Sequence, residues 1–246
     1  MPGTALRARS DDNRLVRNLF EMAREQKPAI IFIDEIDSLC SARSDQESES
    51  ARRIKTEFLV QMNGVSTSDD SGVLVLGASN IPWVLDPAMR RRFEKRIYIG
   101  LPDVMARKRM FEVHIGDTPN NLSQSDLRQL AEMTECYSGS DIAVTVREAL
   151  LAPVRKVQGA THFKYVTAPD REDQSIIRHD YLTPCSPGDP DGFPMSWTDL
   201  ADGSQLIEPP VTFLDFKRAV RQTKPSVNDQ DLKDHKTWTE EFGSEG

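Results

Sequence analysis

Residues Ile30 to Asp37 read IIFIDEID, an apolar run that stops abruptly at two adjacent carboxylates, Asp34 and Glu35. Carboxylates delivered at the end of a buried strand suit nucleotide hydrolysis: an aspartate to hold the hydration shell of Mg²⁺ and a glutamate to polarise the attacking water. Read alone, the run also fits a buried strand meeting a solvated acidic turn. Its neighbours narrow the choice. VLVLGASN (73–80) sets Asn80 just beyond a second apolar run, where a neutral amide can donate to a terminal phosphate or orient a water; an ordinary turn asparagine is the plain alternative. DPAMRRRFEKRIYI then supplies Arg90, Arg91 and Arg92 ahead of a third apolar run. Consecutive basic residues commonly form a solvated face, yet an arginine reaching into a neighbouring subunit's site is a known way to stabilise charge in phosphoryl transfer. Asp-Glu, then Asn, then paired Arg, each at a strand end, is far more specific than any one of them.

Such residues need a sheet to carry them. From about Asp11 to Leu101 helical and strand patterns alternate, which predicts an α/β layer structure. AIIFI (29–33), VLVLG (73–77) and RIYI (96–99) are predicted strands, and their continuous apolar character predicts a parallel sheet covered on both faces. Leu15, Val16, Leu19, Phe20 and Ala23 share a helical stripe, with Ser10 to Asp12 as capping candidates and Pro28 as the stop. Ile54, Phe58, Leu59 and Met62 share a second, closed by Asn63-Gly64. Residues 102–157 are helical in pattern, with Ser123 and either Ser138 or Ser140 as N-caps, the latter before a single run DIAVTVREALLAPVRKV. Over 158–210 the periodicity collapses among prolines, with short strands expected around His162–Val166. Thr212 should cap a helix carrying Phe213, Phe216, Ala219 and Val220, and Ser226 should open a last one reaching Phe242. The expected division is 1–101, 102–157, 158–210 and 211–246.

Composition excludes whole classes. The 246 residues suffice for one large or two modest domains, and 31 basic against 39 acidic residues give a net charge of −8. That balance argues against a protein living by non-specific contacts to a nucleic-acid backbone. Cys40, Cys136 and Cys185 have no metal-type spacing, and an unpatterned odd count suits a reducing compartment. No apolar run approaches a membrane span, and MPGTALRARS has no apolar core of a secretory signal.

Taken together, IIFIDEIDSL, LGASN, RRRFEKRIYIGLPD and YSGSDIAVTVREAL resemble the Walker B element, first sensor, arginine-finger region and lid helix of the AAA family of ATPases. APVRKVQGATHFK, LTPCSPGDP with MSWTDL, and the terminal TEEFGSEG narrow the resemblance to the vacuolar protein sorting-associated protein 4 group, whose members disassemble ESCRT-III filaments, and away from katanin, spastin and fidgetin. The resemblance implies an AAA large subdomain, a helical lid, a small β insertion and a C-terminal helix that packs back on the large subdomain. It implies Asp34 as the Mg²⁺ residue, Glu35 as catalytic base, Asn80 as first sensor, and Arg91 with Arg92 as fingers acting on the adjacent protomer's ATP. Gly139 and Ser140 would lie near adenine and ribose, with an N-cap role for the serine as the other reading. Arg43 to Arg53 matches a loop facing the central pore. The implied partners are ESCRT-III subunits, an assembly-promoting cofactor protein on the insertion, and further copies in a hexamer. The implied place is the cytoplasm, with peripheral recruitment to endosomal membranes.

One family element is missing from this sequence. A phosphate-cradling loop reads GxxxxGK[ST], because backbone N–H groups wrap the β-phosphate while the lysine reaches the β and γ groups. The one spacing match, Gly72 with Gly77, has Ala78 where lysine is required and lies inside an apolar run. The expectation is therefore a large subdomain lacking its first two strands, its first pore loop and its phosphate loop. Such a chain should bind MgATP weakly by itself and fold poorly in that subdomain. The alternative is a non-catalytic short form acting as an assembly or regulatory partner; a microtubule-severing relative fits less well, since those lack the long insertion.

Overall fold

Phe20 and Ala23 on one helix and Phe58 and Met62 on another are buried against Ile31 and Ile36, and this cluster is the core of the first of two compact units. The structure, a computed structural model, describes residues 4–40, 49–67, 72–170, 173, 175–200 and 206–244. The first unit comprises 1–99 with 229–246, and the second 100–228.

In the first unit, α1 (Thr4–Glu25) leads into β1 (Ala29–Ile33), then α2 (Ile36–Cys40), α3 (Glu49–Thr67) and β2 (Val73–Gly77). β1 and β2 pair in parallel with Ala29 opposite Val73 and Ile33 opposite Gly77, so both strands end at one edge. The Phe20 and Phe58 rings meet edge to face, centroids 5.5 Å apart, joining α1 to α3 over the sheet.

Four expectations need correction here. The cap predicted at Ser10 to Asp12 lies inside α1, because no helix breaker stands between Thr4 and Lys27. Asn63-Gly64 does not close α3, which runs on to Thr67. Among the described residues only one face of the sheet is covered: Ile31 is buried, but Ile30 and Phe32 on the other face are 67% and 64% exposed, and Leu74 and Leu76 are exposed with them. RIYI forms no strand, since no described segment offers it a ladder; instead the Arg96 carbonyl accepts from Ser244 N–H and Arg96 N–H donates to Ser244 Oγ, and Ile99 stays 89% exposed.

After β2 a short 3₁₀ turn (Pro82–Val84) precedes α4 (Pro87–Arg90), capped by Asp86 accepting from Ala88 N–H at 2.7 Å. The unit is closed by α10 (Asp229–Phe242), three residues later than the Ser226 start expected from sequence. Its His235 sits between Trp83 and Tyr98, centroids 5.1 and 5.6 Å away. Phe242 carries the Arg90 guanidinium over its ring at 4.5 Å.

The second unit contains α5 (Val104–Ile115), α6 (Gln124–Met133), α7 (Gly139–Leu150), α8 (Ala152–Gln158) and α9 (Phe213–Gln222). Phe111, Leu130, Ile142, Val146 and Phe216 are buried together as its core. Ser123, Ser138 and Thr212 each form a capping box with an aspartate three residues on, which satisfies orphan N–H groups at the starts of α6, α7 and α9. The predicted single run over 141–157 breaks at Leu151, because Pro153 cannot continue α7 and instead opens α8. The irregular stretch holds more order than expected: β3 (His162–Pro169), β4 (Ile177–Pro184) and β5 (Phe193–Pro194) form an antiparallel sheet in the order β4-β3-β5. Phe163 and Leu182 bury themselves beneath it with Val157 of α8.

Candidate active site

Backbone hydrogen bonding continues past the strands at their common edge. Ala78 N–H donates to Ile33 O at 2.9 Å and Ile36 N–H donates to Ala78 O at 3.0 Å, so the Asp34–Glu35 turn and the segment leading to Asn80 are stitched side by side. This is the carboxyl edge where open α/β sheets bind ligands.

Glu35 adopts φ 48°, the left-handed region that a β-carbon disfavours by about 1–2 kcal/mol. The surroundings hold it there. Its N–H donates to Asp34 Oδ1 at 2.9 Å, and its carbonyl accepts from Ser38 N–H at 2.9 Å and Ser38 Oγ at 2.8 Å. Strain of this kind clusters where a side chain must be aimed. The Glu35 carboxylate and the Asn80 amide are exposed and make no hydrogen bond among the described residues.

Asp34 also faces solvent, with Oδ1 engaged by Glu35 N–H. An exposed carboxylate is the hard oxygen donor that Mg²⁺ accepts, directly or through its water. Among the described residues no group of three or more His, Cys, Asp or Glu gathers to hold a metal alone. The phosphate cradle itself is not offered by Gly72 and Gly77, because 73–77 is β2. A β-carbon at Gly77 would stand 2.9 Å from Ile36 Cδ1, so this glycine serves a close approach in the core.

The three arginines differ sharply. Arg90 is held on Phe242, while its carbonyl accepts from Arg96 Nη2 at 2.9 Å. Arg92 is half-buried, and its Nε has no acceptor among the described residues. Arg91 is exposed in the turn after α4, its backbone N–H on Pro87 O at 3.2 Å, with its guanidinium unpaired among the described residues. Arg96 anchors this segment from below, donating through Nη1 to Phe242 O at 2.9 Å while its own carbonyl accepts Ser244 N–H at 2.9 Å.

Gly139 and Ser140 open α7 in the second unit. The cap is Ser138, which leaves Ser140 exposed and without the N-cap role held open for it. Buried Asp141 accepts from Ser138 N–H (2.9 Å) and Oγ (2.8 Å) and from Ser226 N–H (3.2 Å) and Oγ (3.1 Å). Burial pushes its carboxyl up, but these four bonds outweigh that and leave it below the ordinary aspartate value. Of the pore-loop match Arg43 to Arg53, residues 43–48 lie outside the described residues and 49–53 begin α3. Sequence reasoning missed Asp37, Ser79, Arg96 and the C-terminal contacts to 90–96. The third carboxylate of DEID was a visible signal for the first; nothing local marks Ser244.

Family models match along most of the chain: the ATPase family associated with various cellular activities (AAA) over residues 2–101, the AAA+ lid domain over 124–167, and the Vps4 C terminal oligomerisation domain over 182–243. The chain is 59% identical over 236 residues to vacuolar protein sorting-associated protein 4B of Mus musculus, covering 96% of this chain and 53% of that protein. It is 59% identical to vacuolar protein sorting-associated protein 4 of Dictyostelium discoideum, covering 96% of this chain and 52% of that protein. It thus spans about half the length of these relatives. Among solved structures it resembles the FIGL-1 AAA domain in complex with ADP, with a TM-score of 0.69 and 36% identity over 95% of this chain and 64% of that one. Identity is higher with the vacuolar sorting proteins than the 37% found with human fidgetin-like protein 1, as the insertion and tail lead one to expect. The chain belongs to the AAA family of ATPases, in the vacuolar protein sorting-associated protein 4 group.

Proposed function

We propose that this chain carries the water-activating and finger-bearing half of an ATPase that uses Mg²⁺ and ATP to disassemble ESCRT-III filaments at endosomal membranes. The observation that carries the reading is the stitching of the strained Asp34–Glu35 turn to the segment bearing Asn80 at one sheet edge. Asp34 would hold Mg²⁺ through its water, and Mg²⁺ would neutralise charge between the β- and γ-phosphates. Glu35 polarises the attacking water, and Asn80 donates its amide to the γ-phosphate without adding charge. Arg91 reaches a neighbouring protomer's nucleotide, since its guanidinium is the exposed one of the three; Arg92 supports it with a donor that lacks an acceptor among the described residues. Gly139 and Ser140 line the adenine and ribose side. ESCRT-III subunits are the substrate, and an assembly-promoting protein binds the β3–β4–β5 insertion.

The phosphate loop must come from outside the described residues, so the chain by itself binds MgATP weakly. A mant-ATP titration is expected to show no saturation at micromolar concentrations, and micromolar affinity would overturn this. Hydrolysis is tested in a chimera joining residues 15–246 to the N-terminal half of the Dictyostelium discoideum relative. Turnover that stops with Glu35→Gln while nucleotide stays bound supports the reading, and turnover that survives it removes Glu35 as the base.

A second reading keeps the short form as a non-catalytic partner. It is favoured by one observation: the second unit has a closed core of its own, whereas the first leaves a sheet face bare.

A further inference from the structure

We infer that Asp37 is a positioning residue that acts through the Ser79 hydroxyl to fix Asn80 against the Asp34–Glu35 turn; the inference rests on the reading of Asn80 as a phosphate-facing group.

Ser79 Oγ donates to Asp37 Oδ1 at 2.5 Å and accepts from Ile81 N–H at 3.1 Å. A hydroxyl has one proton and two lone pairs, so a carboxylate on one side and an amide N–H on the other fix the sense of both bonds. The bond to the carboxylate is short because it is charge-assisted, and such bonds are roughly twice as strong as neutral ones. Asp37 and Ser79 are both half-buried, which limits competition from water. Asn80 lies between Ser79, tied to Asp37, and Ile81, tied back to Ser79, so its backbone is held on both sides although its own side chain has no partner among the described residues.

The backbone cannot do this alone. The ladder beyond the strands stops at Ala78, and no backbone bond joins 79 or 80 to 34–38. The Asp37–Ser79 pair extends the stitching past that point. Its other end is firm, because Asp37 lies in the first turn of α2, whose start is fixed by Ile36 N–H on Ala78 O and by the Ser38 bonds to the Glu35 carbonyl. The separation between the water-activating carboxylate and the phosphate-facing amide is therefore set by this carboxylate–hydroxyl contact together with the backbone bonds at Ala78. A displacement of about 1 Å at such a site costs roughly 100-fold in rate.

The test combines amide exchange and ¹⁵N NMR on the full chain with turnover in the chimera. Asp37→Ala and Ser79→Ala should each speed Ile81 amide exchange by about 10-fold or more and shift the Asn80 side-chain resonance. Exchange across β1 and β2 should stay within about twofold. Ser79→Thr, which keeps the hydroxyl, and Asp37→Asn, which keeps an acceptor oxygen, should remain near the parent, and the double alanine variant should be no faster than Ser79→Ala. In the chimera Asp37→Ala should lower kcat roughly 10- to 100-fold with KM nearly unchanged. Parent-like exchange at Ile81 in Asp37→Ala overturns the linkage, and a uniform acceleration through both strands reduces Asp37 to a folding role. If exchange responds while kcat does not, the bond is real but the positioning role of Asp37 falls, and the reading of Asn80 stands apart from it.

Discussion

The two units close their apolar surface to very different degrees. In the second, Phe111, Leu130, Ile142, Val146 and Phe216 are buried from several helices at once, and capping boxes satisfy the starts of α6, α7 and α9. In the first, α1 and α3 cover one face of a two-stranded sheet, while Ile30, Phe32, Leu74 and Leu76 stand on an open face and Ile97 and Ile99 on an unpaired segment. Contiguous exposed apolar surface of this kind calls for cover by further polypeptide. Yet the first unit holds the strained Glu35, the segment bearing Asn80 and the arginines. The residues proposed for the chemistry thus sit in the unit that leaves more of its apolar surface exposed.

The largest expected effect separates the units by role. Arg91→Ala in the chimera should cut turnover by roughly 10³- to 10⁵-fold, about 4–7 kcal/mol of transition-state stabilisation, while sparing nucleotide affinity. Steady-state turnover and mant-ATP affinity check this together. Normal turnover would shift the finger to Arg92, whose buried Nε lacks an acceptor among the described residues.

The next effect concerns stability alone. Phe216→Ala removes a fully buried ring that meets Phe111 edge to face at 6.3 Å and should cost the second unit about 3–5 kcal/mol in urea unfolding. Phe32→Ala, on the open face, should change the first unit by less than about 0.5 kcal/mol in the chain alone. A large loss at Phe32 would mean that the bare face is already covered.

Local sequence codes reach some of these elements and not others. The strands AIIFI and VLVLG and the caps at Ser123 and Thr212 were legible because strand runs and capping boxes are local codes. RIYI misled for the opposite reason: its β-branched and aromatic residues are strand-like, but a strand exists only with a partner, and here Arg96 finds Ser244 instead. The β4 strand IRHDYLTP was hidden by flanking prolines, although Tyr181 and Leu182 are both buried within it. At the site, residue types and order pointed to the Asp34–Glu35 turn and Asn80. The Asp37–Ser79 bond joins side chains 42 positions apart and has no local signature.

Acid should also distinguish the units. Asp141 and Asp215 in the second unit are both held below the ordinary aspartate value: burial raises each, but Ser138 and Ser226 outweigh it at Asp141, and Lys156 with Thr212 at Asp215. A carboxyl whose folded value lies below its unfolded one stabilises the fold fully above about pH 5, and that contribution fades as pH falls below about 4 toward the folded value. Thermal melts of the second unit should therefore lose stability between about pH 5 and 3, and Asp141→Asn should flatten that limb. An unchanged limb would remove Asp141 as a source of the acid dependence.

The smallest effects come from two glycines that look alike in sequence. A β-carbon at Gly77 would press on the buried Ile36 at 2.9 Å and the Phe93 ring at 3.2 Å, so Gly77→Ala should destabilise the first unit by about 1–3 kcal/mol through overpacking. At Gly139 the nearest atom is Met110 Cε at 3.7 Å, an ordinary contact, and no positive φ demands glycine there. Gly139→Ala should thus leave the second unit's unfolding midpoint unchanged or slightly raised, since alanine restricts the unfolded chain. If the same variant weakens nucleotide binding in the chimera, the glycine is kept for a ligand's approach and not for the fold. If binding is untouched, adenine and ribose lie elsewhere, and Gly139 is only the first residue of a well-capped helix.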